Sequence, residues 1–176
     1  MTRKLTHFSK LIFTAVFLVF LFAAVGHAQE KKSALMWYTD INVACKLSNK
    51  TKKPIFALFT GSDWCIWCHK LDADVFAKAS FQAWAKKNVI LLMLDFPRQT
   101  KLPDTLARQN NSLQQFFKVQ GFPTVWIFNI IKEKTTDKFN ITALGSLGYP
   151  QSEPGKEATA FLATANGILK TKNTPH

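Results

Sequence analysis

The sequence predicts an α/β fold, a mixed β-sheet with helices on both faces. Two continuous apolar runs, PIFALFT at 54–60 and VILLML at 89–94, carry the first half of that expectation. Uninterrupted runs this short suit strands buried on both faces, as in sheets sandwiched between helical layers. A change of period near the C-terminus carries the second half. TVWIFNII at 124–131 is strand-like, and Phe139, Ile141 and Ala143 alternate after the charged turn KEKTTDK. Together they predict a hairpin.

The elements follow in order. Thr39 stands where it caps a helix whose inner face is Ile41, Ala44, Cys45 and Ser48, ending at the basic turn NKTKK. The strand at 54–60 comes next. GSDWCIWCHKL, residues 61–71, then opens a second helix with Cys68, Leu71 and Val75 at i, i+3 and i+7. Ser80 starts a short helix that turns Phe81, Trp84 and Ala85 inward, ahead of the strand at 89–94. The polar stretch 97–112 predicts a loop entering a helix with inner face Leu106, Leu113, Phe116 and Phe117. A last helix from about Pro154 places Phe161, Leu162, Ala165, Ile168 and Leu169 on one face. Strands alternating with helices, then a hairpin and a closing helix, make one mixed sheet and one domain.

The first residues are not counted in that domain. MTRKLTHFSK carries Arg3, Lys4 and Lys10, and LIFTAVFLVFLFAAV runs without a charge before Gly26 and Ala28. A basic start, a short apolar run and a small-residue site describe a secretory signal peptide, 1–28, cleaved after Ala28. The run is short for a membrane-spanning helix, which needs about 20 residues. An uncleaved anchor is the alternative. Residues 29–176 then form the mature domain, periplasmic or secreted. They keep twenty Lys and Arg against eleven acids, a surplus of nine. The lysines are scattered (Lys31, Lys52, Lys86, Lys118, Lys156) and not gathered into a stripe with aromatics. That pattern is a solubilising surface and argues against nucleic-acid binding. A monomer is expected.

Export changes how cysteines are read, because an exported dithiol can persist as a disulfide. Cys65 and Cys68 are two residues apart, each preceded by a tryptophan, with His69 directly after the second. Such spacing fits an exchanging dithiol, a covalent c-type haem site, or half of a zinc site. The motif follows a buried strand and begins a helix, and a helix N-terminus favours a thiolate. Cys65, at that end, is expected to have its pKa lowered from the ~8.5 of a free thiol. Cys68, one turn on, shares a face with Leu71 and Val75 and is expected to be shielded. An exposed nucleophile and a buried resolving thiol make a dithiol exchanger. The third cysteine, Cys45, lies on an inward helix face, where a structural thiol is the default.

A second signal is VQGFPTVWIF, 119–128, where Pro123 stands immediately before a strand. With W-C-x-x-C opening a helix and G-F-P-T ahead of a core strand, the chain resembles the thioredoxin superfamily over about residues 34–170. Within it, TGSDWCIWCHKLDADVF resembles exported thioredoxin-like proteins and the C-terminal domain of the transmembrane transporter that reduces periplasmic disulfides. The resemblance implies that Pro123 is a cis-proline facing the dithiol and that Phe122 offers its backbone to the substrate chain. Trp64 and Trp67 become candidate substrate contacts, although Trp64 fits packing equally well. It also implies a protein-disulfide oxidoreductase needing no cofactor beyond the Cys65–Cys68 pair and no metal. Its partners would be disulfide-containing exported proteins and a thiol electron donor, such as a membrane reductase.

There are departures from the family. Ile66 and Trp67 replace the Gly-Pro of thioredoxin itself, and Leu58 takes the place of its buried aspartate. Proton transfer then needs water or another group, with Asp63 as a candidate. His69 replaces the usual lysine and is either an exposed side chain or a second candidate for tuning the Cys65 pKa. With no cation between the cysteines, a reductase is favoured over a strong oxidant. Two alternatives remain: a nonredox thioredoxin-fold binding or chaperone module, and a haem protein using Cys65, Cys68 and His69. The haem motif requires neither the buried strand ahead nor G-F-P-T behind. A closed zinc site needs four ligands, and beyond the pair the mature chain offers only Cys45, His69 and His176.

Overall fold

A computed structural model of the chain describes residues 35–133 and 138–171. The expected signal peptide, 1–28, lies outside the described residues, as does part of the turn at 132–138. The fold belongs to the unit Leu35–His176. Its elements are β1 (Trp37–Tyr38), α1 (Ile41–Thr51), β2 (Ile55–Thr60), α2 (Ile66–Leu71), α3 (Ala79–Asn88) and β3 (Ile90–Asp95). They continue with α4 (Asp104–Phe116), β4 (Thr124–Lys132), β5 (Phe139–Leu147) and α5 (Glu157–Thr171). A π-helical turn, Asp72–Phe76, extends α2 directly.

The sheet order is β1-β3-β2-β4-β5. β2 runs parallel to β3, with Ile55 opposite Ile90 and Thr60 opposite Asp95. β4 pairs antiparallel to β2 on its other side, and β5 antiparallel to β4. β2 is thus central, and every one of its residues is buried. Its pleat feeds two cores. Ile55, Ala57 and Phe59 face Ile41, Ala44 and Cys45 of α1 and Leu113 of α4. Phe56 and Leu58 face Leu71, Val75 and Phe76 of the α2 segment, Phe81 and Ala85 of α3, and Phe161 and Ala165 of α5. The run PIFALFT is continuous because both faces of the strand are covered.

Several elements differ from the sequence expectation. Asp40, not Thr39, caps α1, and its Oδ1 accepts from the Asn42 N–H at 2.7 Å. Thr39 instead gives its carbonyl to Gln109 Nε2. The two-residue β1 was not foreseen, since a strand so short shows no period. The stretch 97–112 does enter a helix, at Asp104, but the inner face of α4 is different. Phe116 is 57% exposed, Leu106 is half-buried, and Asn110 is buried in the interior. Asn110 is tolerated there because its Nδ2 donates to the Asp95 carbonyl at 2.9 Å, while its Oδ1 accepts from Gln109. Phe117, just past the helix, supplies the buried ring. In β5, Ala143 is exposed although alternation puts it inside. The register shifts between Ile127 and Phe128, whose partners are Gly145 and Ala143, so Leu144 is the extra residue of a bulge. Phe139 and Ile141 pack on the core that holds Phe59, whereas Leu144 packs on the opposite core, which holds Phe56.

Phe56 is the centre of the aromatic layer, with Trp37, Phe76, Phe81, Trp84 and Phe161 all within 6.1 Å of it, centroid to centroid. It is fully buried on a central strand, so its neighbours cannot collapse into the space it leaves. Phe56→Ala should cost about 3–5 kcal/mol, read from urea unfolding monitored by far-UV circular dichroism. A loss below about 1 kcal/mol would mean that the layer repacks.

Candidate functional site

The chemistry sits where β2 ends. Gly61 starts a tight turn in which its carbonyl accepts from the N–H of Trp64 at 3.3 Å and of Cys65 at 2.9 Å. A side chain at Gly61 is impossible with this packing, since a Cβ would lie 2.5 Å from the Trp64 indole. That indole is fixed from three sides. Its Nε1 donates to the Phe96 carbonyl at 2.8 Å, the Arg98 guanidinium stacks 3.6 Å from its centroid, and Phe122 lies 6.0 Å away. Trp64 is therefore a packing residue that also joins the motif to the Phe122–Pro123 loop.

Two carboxylates hold the turn against the next strand. Asp95, the last residue of β3, accepts from Ser62 N at 2.8 Å and from Ser62 Oγ at 2.6 Å. Asp63 accepts from the backbone N–H of Arg98 at 2.9 Å and of Gln99 at 2.8 Å. The Arg98 N–H is the main cause holding the Asp63 carboxyl below its ordinary pKa. An acid so engaged is a clamp for residues 98–99 and a poor proton acceptor for a thiol, so the candidate proton-transfer role does not fit its geometry.

Cys65 is the N-cap residue of α2, and its Sγ accepts from the Cys68 N–H at 3.2 Å. Cys65 and Cys68 form a disulfide with Cα atoms 5.2 Å apart. The expectation of one exposed and one shielded cysteine is corrected: each is 6% exposed. The cap geometry is the reason, because it turns the Cys65 sulfur back onto the helix end. What distinguishes the two is their place on the helix. Cys65 is the cap, whereas Cys68 lines a cavity of about 340 Å³ with Leu58, Thr60, Met93, Phe76 and Trp37. Ser62, His69 and Asp72 form its polar edge.

His69 is exposed but not idle. Its Nε2 lies 2.7 Å from the Ser62 carbonyl, which can only accept, so Nε2 carries the proton. A haem-ligating imidazole would have to give up that bond. Among the described residues, no three His, Cys, Asp or Glu side chains gather as a metal site. The Phe122–Pro123 peptide bond is cis. Phe122 stacks on Phe96 at 5.0 Å as well as touching Trp64. Ile66 and Trp67, between the cysteines, are 79% and 56% exposed. Cys45, by contrast, is a free thiol buried in the opposite core, where burial raises its pKa.

Sequence reasoning missed Gly61, Asp95, Phe96, Arg98 and Tyr149. A glycine at the end of a buried strand is the one signal that marked such a contact in advance. The carboxylate clamps join residues more than thirty apart, and no local spacing reveals them.

Asp63 gives a pH test. Its folded pKa lies below the unfolded value of about 3.9. Its stabilisation is therefore complete above about pH 4 and lost as pH falls through the folded pKa. Asp63→Asn should lower the urea midpoint at pH 7 and weaken its decline between pH 4 and pH 2. An unaltered pH profile in the variant would contradict this clamp.

Comparison with known proteins agrees with this geometry. The family model described as "Thioredoxin-like" matches residues 36–129. The chain is similar to the protein named disulfide bond reductase DsbH of Chlamydia pneumoniae, with 35% identity over 129 residues, 73% of this chain and 70% of that one. It is 22% identical over 137 residues to thioredoxin-related protein DsbJ of the same organism, covering 78% of this chain and 38% of that protein. Among solved structures, a DsbH oxidoreductase superposes with a TM-score of 0.65 at 26% identity, covering 83% of this chain and 92% of the other. A thioredoxin from Thermus thermophilus superposes with a TM-score of 0.54 at 13% identity, covering 80% and 91%, a likeness of fold alone. With its Cys65–Cys68 pair at the head of α2, the chain belongs to the thioredoxin-like family and is a thiol–disulfide oxidoreductase.

Proposed function

We propose that this protein is an exported reductase of protein disulfides, with Cys65 as nucleophile and Cys68 as resolving thiol. The observation that carries the assignment of roles is the Cys68 N–H aimed at Cys65 Sγ. That donor, at the end of a helix, stabilises negative charge on Cys65. In the reduced enzyme the Cys65 thiolate attacks one sulfur of a substrate disulfide and expels the other as a thiolate. The resulting mixed disulfide is resolved when Cys68, having lost its proton, attacks Cys65 Sγ. The second substrate thiol leaves, and the enzyme holds the Cys65–Cys68 disulfide. Two electrons have passed to the substrate, whose two thiolates take up protons. A thiol donor, such as a membrane reductase, returns the pair to its reduced state.

The remaining parts have supporting roles. Phe122 presents its backbone to the substrate chain beside Pro123, and Trp67 contacts the substrate from the other side of the motif. The proton of Cys68 leaves through the cavity toward Ser62, His69 and Asp72, because Leu58 offers no acceptor. Reduction, as opposed to oxidation, is supported by the name of the DsbH relative and by the uncharged Ile66–Trp67 pair. The basic start, apolar run and small residues up to Ala28 support export and cleavage there. Intact mass of the exported protein should correspond to a chain beginning at Gln29. Full-length protein retained in membranes would replace the soluble form with an anchored one.

Trapping tests the division of labour. Cys68→Ser keeps the attacking thiol and blocks release, so it should accumulate mixed disulfides that disappear on reduction. Cys65→Ser should trap at least about tenfold less, since Cys68 lacks the cap position. Equal trapping by the two variants would refute the roles, and no trapping by either would favour a nonredox module. Equilibration with glutathione should place the potential of the pair nearer the ~−270 mV of thioredoxin than the ~−120 mV of a strong oxidant.

A further inference from the structure

Beside the dithiol, residues far apart in sequence make a built wall. Trp67, two residues after Cys65, meets the Tyr149 ring edge-on, with centroids 5.3 Å apart and planes at 64°. The Tyr149 hydroxyl donates to Asp74 Oδ2 at 2.7 Å. The same oxygen accepts from Lys70 Nζ at 2.9 Å, and Lys70 Nζ lies 5.4 Å from the Tyr149 centroid. Lys70 and Asp74 are one turn apart on the helical segment that carries both cysteines, so the network ties Tyr149 to that segment. On its other side, Gly148 lies close to the Pro123 carbonyl, where a Cβ would sit 3.5 Å from the oxygen. Tyr149 is thus tied to the cysteine helix, while its neighbour Gly148 lies beside the Pro123 carbonyl.

The three groups keep their bonding states through the neutral range. The Lys70 hydrogen bond, foremost, holds the Asp74 carboxyl below its ordinary pKa, and that bond raises Lys70 in turn. Burial raises the Tyr149 hydroxyl. Meanwhile Ile66 and Trp67 remain largely exposed. A large indole left in water beside a reactive sulfur, yet held against a hydrogen-bonded tyrosine, is a contact surface waiting for apolar area.

We propose that Tyr149 is a specificity-determining residue: with Trp67 and Ile66 it forms an aromatic wall for an apolar side chain adjacent to the substrate's half-cystine. Asp74 and Lys70 are positioning residues that hold Tyr149 upright. The occupant is an extended peptide segment whose cysteine neighbours Leu, Phe or a similar residue. A neighbouring lysine gains less there, since its ammonium must keep its water. The proposal rests on disulfide reduction at Cys65 as the activity.

The test compares two disulfide-linked peptides of equal length, one with Leu beside the cysteine and one with Lys. The ratio of their kcat/KM values should favour Leu by about tenfold in the native protein, the scale of one good aromatic contact. Tyr149→Phe keeps the ring and loses the bond to Asp74, and should reduce the ratio about threefold. Asp74→Asn should reduce it likewise, and Tyr149→Ala should bring it near unity. Urea midpoints accompany each variant, and Tyr149→Phe serves where Tyr149→Ala fails to fold. A ratio near unity in the native protein, or one unchanged in Tyr149→Phe and Asp74→Asn, overturns the wall. Hydroxyethyl disulfide, which has no side chain to place there, separates the two readings. If the native protein reduces it without discriminating peptides, only the wall falls. If it reduces neither, disulfide reduction itself is wrong and the wall falls with it.

Discussion

β2 is covered on both faces, and every residue from Ile55 to Thr60 is buried. A strand in that position can present chemistry only from its end. The chain therefore passes from a buried strand to Gly61, Ser62, Asp63, Trp64 and Cys65 within five residues. Everything the site needs depends on how this turn is held, because the strand before it is buried on both faces and the helix after it is capped by Cys65. Parallel pairing with β3 brings Asp95 level with Thr60. Antiparallel pairing brings Thr124, the first residue of β4, level with Phe59. The cysteine turn, the Asp95 clamp and the Phe122–Pro123 loop thus meet at one end of the sheet as a consequence of register.

The turn is held by two kinds of force that act differently. The Gly61–Trp64 contact is steric and is indifferent to pH and salt. Asp63 and Asp95 work through hydrogen bonds from N–H groups and from Ser62, strengthened by the charge on the acceptor. Their partners are mostly backbone donors, so each carboxylate fixes main-chain geometry and not merely another flexible side chain. A surface ion pair such as Lys101–Asp104, at 3.7 Å between exposed groups, does much less. The motif is therefore rigid where it bears Cys65, while Ile66 and Trp67 remain open to solvent.

Much of this was legible in the sequence, and the reasons differ by residue. PIFALFT reads as a doubly buried strand because hydrophobic continuity is local, and Cys65 and Cys68 read as a pair because their spacing is local. Cys45, Ser48, Phe81 and Ala85 follow from helical period alone. Asn110 does not, because its burial depends on the Asp95 carbonyl, a group invisible to periodicity. Ala143 misled because a single bulged residue reverses the inward face for the rest of a strand. Phe116 and Phe117 are adjacent and chemically identical, and only the end of α4 decides which ring turns inward. Tyr149 gave no signal, since its partners Trp67 and Asp74 are 82 and 75 residues away in the chain.

The two cysteines show how far burial can stand in for reactivity. They are equally covered, so accessibility assigns neither a role. The asymmetry lies instead in direction. Cys65 receives the Cys68 N–H and caps the helix. Cys68 lines an open cleft that is apolar at Leu58, Phe76 and Met93 and polar at Ser62, His69 and Asp72. Place on the helix, and not exposure, is what separates the two sulfurs.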